Sequence, residues 1–513
     1  MNVGEKERGN MYMKARLCTY FFALLIIANF AFILPREEYA GSSMHNSGSS
    51  DEECRKSGRD ELDLSVEDAI IMALENNKSL LIERLKLPIQ GTYEIQEQAV
   101  FDPGFTAGYT YIREKSDGES FENTSGEIAL EGFLPTGTEI SLGLETSRQW
   151  SYLYSNEHST RLGMTVTQAL LKGAGLGYNL ANVRQAGLDT LSTEFELKGF
   201  TEELIAEVEK SYWNYALASR NLEIYLHSME LAEKQLAEVK ERISVGKLAE
   251  IELAAAKAEV ALRREALINA QSSMDKSRIK LLRLISPASG DMWAKGIHLK
   301  DIPKVPQISL DSPESHTALA LKMRSDLNQA LLSVQRGEIE LTRTKNGLLP
   351  RLDLFIRIGK TGYADSFSGS VDNIDGKDYD ISAGLIFQFP LGNRSAGAKH
   401  RRALYSSEQA KEAMDNLIQL IELDVRLAYI EVQRAYQQID ATVATRKSQE
   451  EKFRAEVEKF RVGRSTALLV AQSQRDLVNA EISEVEAIVN YLNALIELFR
   501  IEGSLLERRG IKT

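Results

Sequence analysis

Two hydrophobic periods alternate along this chain. From Leu222, apolar residues step by three and four through Tyr225, Met229, Ala232, Leu236, Val239 and Ile243, the spacing of a coiled-coil stripe. Leu253, Val260, Leu267, Met274 and Leu281 then recur every seven residues. Val470, Leu477, Tyr491 and Leu498 echo them near the C-terminus, with Glu484 interrupting. Such a stripe packs helix on helix, and its length is the informative part. Residues 200–286 hold no proline and one glycine, Gly246; residues 398–502 hold no proline and one glycine, Gly463. A lone glycine within a long helical run marks a turn, so each stretch is expected to be a hairpin of two long helices. An unbroken helix from about 182 to 244 would reach about 90 Å at 1.5 Å per residue, far longer than a globular domain needs.

The second period is two. Phe105, Ala107, Tyr109 and Tyr111 share one face, and Leu352, Leu354, Ile356 and Ile358 stand opposite Asp353, Phe355 and Arg357. Ile381, Ala383, Leu385, Phe387 and Phe389 stand opposite Ser382 and Gln388. Ile128/Leu130, Ile140/Leu142/Leu144 and Leu162/Met164/Val166 behave alike. Strict alternation fits a transmembrane barrel with an apolar outside and a polar lumen. It also fits one half-buried face of a soluble sheet.

The chain repeats itself once. Ala73-Leu74 with Leu80 matches Ala320-Leu321 with Leu327, and Pro103 matches Pro350, at an offset of 247. Tyr212 matches Tyr429, and Val245-Gly246-Lys247 matches Val462-Gly463-Arg464, at an offset of 217. The first half therefore carries 30 more residues between its proline and its tyrosine, read as one extra hairpin near 126–148 turned at Pro135-Thr136-Gly137. The expected organisation is a first repeat at 62–286, a linker at 287–314, a second repeat at 315–508 and a tail at 509–513. The linker holds Pro287, Pro303, Pro306 and Pro313, and little regular structure is expected there.

At the N-terminus, Lys14 and Arg16 precede an apolar run from Leu17 to Leu34. A basic start, an apolar core and a polar sequel read as a secretory signal peptide, residues 1–40, in preference to an uncleaved anchor. Residues 41–61, rich in Ser, Gly and charge, are expected to be a disordered lead. A secreted chain with no other core prefers the barrel reading of its alternating segments.

Composition narrows the chemistry. Net charge is −12, which argues against nucleic acid as a partner. The two cysteines, Cys18 and Cys54, cannot make a disulfide framework, and the six histidines show no metal-ligand spacing. Gly359-Lys360-Thr361 ends an alternating strand rather than a phosphate-binding loop. Gly173-Ala174-Gly175-Leu176-Gly177 has no following acidic residue for a dinucleotide site. No pair of carboxylates is isolated in apolar surroundings. No catalytic residue, metal ligand or cofactor is expected.

Several separated motifs resemble the TolC-like outer-membrane efflux family, in the right order and over about 62–508. TQALLKGAG, Thr167 to Gly175, resembles that family's strand-to-helix junction TQPLLRGAG, with Ala169 and Lys172 replacing proline and arginine. PLGNR, Pro390 to Arg394, sits at the matching junction of the second half. RISVGK (Arg242–Lys247) and FRVGRST (Phe460–Thr466) resemble its helix-hairpin tips, and Ala471–Glu481 with Tyr491–Glu507 its final stretch.

The resemblance implies an α+β membrane protein. Three copies would each give four strands to one 12-stranded transmembrane β-barrel, continued by an α-helical coiled-coil barrel across the periplasm. Val245, Gly246, Lys247 and Leu248, with Val462, Gly463, Arg464, Ser465 and Thr466, would meet a periplasmic adaptor (membrane fusion) protein. An inner-membrane pump of RND, ABC or MFS type would supply the energy. The family's acidic entrance is only partly present: the positions six and nine after the second tip glycine are Leu469 and Gln472, and only Glu252, six after Gly246, keeps an acid. Leu469 is expected either to form an apolar collar or to pack against the neighbouring hairpin. The function implied is a passive outer-membrane duct, with small-molecule efflux favoured. The alternatives are a type I protein-secretion duct or, in a different class, a periplasmic adaptor or structural coiled-coil protein.

Overall fold

A computed structural model describes residues 61–116, 119–151, 154–286, 291–306, 310–377 and 379–511. The expected signal peptide and, apart from Glu61, the lead lie outside the described residues.

β1 (Glu61–Leu64) is followed by α1 (Val66–Asn76) and α2 (Lys78–Gln98). Ser65 starts α1 with a capping box to Asp68, and Asn77 separates the two helices, its side chain accepting from the N–H groups of Ser79 and Leu80. Four strands come next: β2 (Gly104–Ser116), β3 (Glu119–Leu134), β4 (Thr138–Ser151) and β5 (Tyr154–Ala169). The short α3 (Leu176–Asn179) leads into α4 (Ala181–Ser244) and α5 (Ile251–Ile285). After β6 (Gly296–Leu299) the order repeats with α6 (Pro313–Met323), α7 (Ser325–Gly347), β7 (Arg351–Ala364), the short α8 (Phe367–Asp372), β8 (Tyr379–Gln388), α9 (Arg394–Arg461), α10 (Ala467–Ile501) and the short α11 (Leu505–Arg508).

Six strands form one antiparallel sheet in the order β2-β3-β4-β5-β7-β8. Its register sorts the side chains cleanly. Phe105, Leu130, Leu142, Met164, Ile358 and Ile381 make one continuous row across all six strands. Gly108, Glu127, Glu145, Arg161 and Thr361 make a row on the other face. Among the described residues only the short α8, against Thr160 and Gly362, packs on the apolar side, and the rest of it is open: Phe105 is 68% exposed, Tyr109 76% and Phe387 66%. A half-buried soluble sheet would have hidden these residues.

The expectation of four strands per chain is corrected to six. The extra length of the first half falls at the β3–β4 hairpin, Glu119–Ser151, which turns at Pro135–Gly137 as expected. It is not an appendage, because it hydrogen-bonds β2 on one side and β5 on the other. One smaller correction follows. The proline-rich linker contains β6, which pairs in parallel with β1. It is held by the Tyr215 hydroxyl donating to the Ile297 carbonyl at 3.0 Å. In the expected tail, Arg509 meets the fully buried Glu209 with two 2.6 Å bonds.

The helices pack as a layer in the order α2, α4, α7, α9, and each long hairpin pairs α4 with α5 and α9 with α10. The main core lies where these meet β1, β6 and α1, around Tyr212, Leu281, Ile421, Tyr491 and Leu498. Every residue of the stripe from Leu222 to Ile243 is buried or half-buried. Glu484, which interrupts the second stripe, is half-buried and paired with Arg446 of the facing helix. Among the described residues no helix is long and apolar enough to cross a membrane.

Candidate functional site: helix tips and duct wall

Each long hairpin turns through the same local geometry. α4 ends at Ser244, and Gly246 takes the left-handed conformation at φ 73°. The Gly246 N–H donates to the Ile243 carbonyl and the Lys247 N–H to that of Arg242, both at 2.9 Å. At the second tip Gly463 has φ 76°, with Gly463 donating to Phe460 and Arg464 to Lys459. Both are Schellman caps, which close the last carbonyls of a helix and need a residue without a Cβ at the left-handed position. Neither glycine has any atom within 4 Å of where a Cβ would stand. The conformation, not crowding, therefore selects glycine here.

The sequence-derived tip residues separate into two sets. Val245, Gly246, Lys247, Val462, Gly463, Arg464 and Thr466 are exposed. Leu248 is half-buried and packs into a small tip core of Val239, Phe460 and Val470. Ser465 is half-buried and donates to Glu456 at 2.8 Å. The Thr466 hydroxyl caps α10 by accepting from the Leu469 N–H.

The entrance candidates do not share one environment. Leu469 is 47% exposed and Gln472 is exposed. Glu252 is half-buried, and its Oε2 accepts a 3.0 Å bond from the N–H of Ala467, the first residue of α10. A carboxylate there is favoured by the unpaired N–H groups of the helix start. Glu252 thus ties the first tip to the second.

Sequence reasoning missed two partners. Arg242 donates to the Phe460 carbonyl at 3.2 Å and lies 5.0 Å from that ring's centre, a second brace between the tips. Farther along, Glu259 and Arg263 form an ion pair at 2.7 Å, both side chains 7% exposed. Their i,i+4 spacing was visible in the sequence, but on a surface helix that spacing is ordinary. In the fold the second hairpin lies beside it, with Arg475 of α10 3.9 Å from the Glu259 carboxylate.

The two faces of the sheet differ in chemistry. The polar face carries Glu127, Glu131, Glu139, Glu145 and Asp380 against Arg161 and Arg357, by the register of the strands. Arg161 on β5 reaches across β7 to Asp380 on β8 at 2.7 Å. It can do so because Gly359 lies between them: a Cβ there would stand 2.7 Å from the Arg161 guanidinium. At the foot of the sheet, Gly173 and Gly175 both have φ 89°, which turns β5 into the helices. Asn179 Nδ2 donates to the carbonyls of Pro135 and Gly173. A Cβ on Gly137 would stand 2.3 Å from the Gly173 carbonyl. The TQALLKGAG segment is therefore a junction with the β3–β4 turn seated on it. Among the described residues no group of three or more His, Cys, Asp or Glu side chains is placed to hold a metal ion.

Residues 70–286 and 317–504 match the family described as outer membrane efflux protein. The chain belongs to that family. This outer membrane efflux protein is 24% identical over 367 residues to the outer membrane protein TolC of Escherichia coli K12, across 69% of this chain and 71% of that protein. It is 26% identical over 317 residues to TolC of Vibrio cholerae, across 60% of this chain and 68% of that protein. Its fold is similar to the CmeC outer membrane channel of Campylobacter jejuni, with a TM-score of 0.66 at 15% identity over 86% of both chains. As a member of this family the chain is an outer-membrane transport channel that extends into the periplasm. Membership sets aside the periplasmic adaptor and structural coiled-coil readings.

Proposed function

We propose that this outer membrane efflux protein is a homotrimeric passive duct. An inner-membrane pump would drive its cargo through a periplasmic adaptor seated on the helix tips. One observation carries the trimer: the sheet and the helical layer end on the same two chain segments. α2 continues into the edge strand β2, and the other edge strand, β8, continues into α9. Both edges are apolar and, among the described residues, unpartnered. α2 exposes Ile82, Leu85, Ile89 and Tyr93; α9 exposes Leu420, Leu423, Leu427 and Ile430; Leu391, between β8 and α9, is 99% exposed. Open strand edges are not tolerated in lipid. A ring of identical chains, α9 and β8 of one against α2 and β2 of the next, closes both layers with one repeated contact.

In that ring the apolar sheet face meets lipid and the polar face lines the lumen. The exposed tips fit an adaptor, and Glu252, Leu469 and Gln472 stand near the entrance. The efflux family favours small-molecule cargo over secreted polypeptide. The test is export in cells carrying Gly246→Pro or Gly463→Asp. Proline removes the Gly246 N–H bond and forces a negative φ, and aspartate adds a charge to an exposed turn. Export is expected to fall to the level of cells lacking the chain, with the trimer still in the outer membrane. Normal export would remove the adaptor assignment.

A further inference from the structure

We infer that the membrane barrel of this trimer has eighteen strands, a wide pore that does not narrow below the helical duct. The inference rests on the trimeric reading above and goes beyond it, because the number of strands per chain comes from the sheet itself. Each chain brings six strands in antiparallel register, with one shift among the described residues, between β4 and β5 at Gln149/Ser151.

The extra hairpin belongs to the wall for three reasons. It lies inside the sheet, between β2 and β5, so both of its strands have ladder partners on each side. Its side chains keep the lipid–lumen alternation of the other strands: Leu130, Leu142 and Leu144 continue the apolar rows, and Glu127, Ser141 and Glu145 the polar ones. Its turn is fastened to the base of the wall, where Ala169 donates to the Gly137 carbonyl at 2.9 Å and Gly175 to that of Thr136 at 3.1 Å. Gly137 has no room for a Cβ against Gly173.

Circumference gives an independent check. Strands about 4.8 Å apart and tilted by about 40° give eighteen strands a perimeter of about 110 Å and a diameter of about 36 Å; twelve strands give about 75 Å and about 24 Å. The layer α2-α4-α7-α9 supplies four helices per chain. At about 9 Å between neighbouring axes, twelve helices also span about 110 Å. Eighteen strands therefore meet the helical tube at nearly equal perimeter, and each chain can pass from strand to helix without splaying.

The segment between β7 and β8 does not narrow this mouth. Its helix α8 packs on the apolar side of the sheet, where the buried Ser370 hydroxyl meets that of Thr160 at 2.6 Å. A Cβ on Gly362 would stand 2.1 Å from the Ser370 carbonyl. Thr160 and Gly362 are directly paired, two residues along from Leu162 on the same face.

Electron cryo-microscopy of the full chain in lipid nanodiscs tests this, because symmetry and strand count are read separately. Three-fold symmetry with eighteen strands, and residues 119–151 inside the wall at a backbone diameter near 36 Å, is the expected result. Three-fold symmetry with twelve strands and that hairpin outside the wall overturns the inference and leaves the duct reading standing. A particle without three-fold symmetry overturns the trimeric reading on which it rests.

Discussion

At the scale of single residues, most of the functional detail sits where one side chain is forced into an unusual setting. Glu202 on α4 is buried at 5% exposure, and its Oε1 has no hydrogen-bond partner among the described residues. Burial pushes its carboxyl up from 4.5 to about 7, against the pull of Lys198 and Arg500 and with the push of Glu507 and Asp326. Between those two values the folded chain holds a proton that the unfolded chain has released, so stability falls as pH rises through that window. Below 4.5 both states are protonated and the effect vanishes. The trimer's melting temperature is expected to drop between pH 5 and pH 8, and Glu202→Gln to flatten that slope. An unchanged slope in the variant would assign the pH dependence to other groups. Leu469, exposed in the single chain, makes a second claim. As an apolar collar that excludes water, its replacement in Leu469→Ser should raise single-channel conductance in planar bilayers with little change in ion selectivity. Unchanged conductance would leave it a packing residue.

At the scale of elements, the β3–β4 hairpin is the departure with the largest consequence. It was legible in part. The offset between the two halves located the insertion, and the alternation of Ile128, Leu130, Ile140, Leu142 and Leu144 marked it as strand. Its place in the sheet was not legible, because alternation reports a two-sided environment without naming the neighbouring strand. Removing residues 119–151 leaves β2 and β5 antiparallel, since an up strand and a down strand are lost together. The shortened chain is expected to keep a heat-modifiable trimer with a smaller polymer-exclusion limit. An exclusion limit equal to that of the full chain would mean the hairpin does not set the width. The helical hairpins show the opposite balance. Their lengths and tips follow from absent prolines and two glycines, but the braces between tips, Glu252 to Ala467 and Arg242 to Phe460, depend on residues more than 200 positions apart.

At the scale of the whole molecule, the single chain is an unfinished object. Among the described residues its sheet has two free edges and its helical layer two apolar flanks, and α2–β2 and α9–β8 place them together. Each flank residue is worth about 1.5–3 kcal/mol when fully buried, so a charge in either flank should act on assembly before it acts on the fold. Leu85→Asp or Leu427→Asp is expected to shift the detergent-solubilised protein from trimer to monomer while far-ultraviolet circular dichroism stays unchanged. Trimers at wild-type abundance in both variants would place the contact elsewhere.

By itself the sequence determined the local periods, hence the strands and long helices, and the tip glycines, because each of these is decided by backbone conformation and burial within a few residues. It also determined the family, through motifs whose geometry is local: a left-handed glycine pair at the strand-to-helix junction and a Schellman cap at each tip. Only the tertiary structure decided how many strands share one sheet. It also showed that the linker hides a strand, that Arg509 pairs with Glu209, and that Glu252 caps a neighbouring helix. Each of these pairs groups far apart in the chain, and their partners are selected by the packing of the long helices and the pleat of the sheet, which no window of sequence contains.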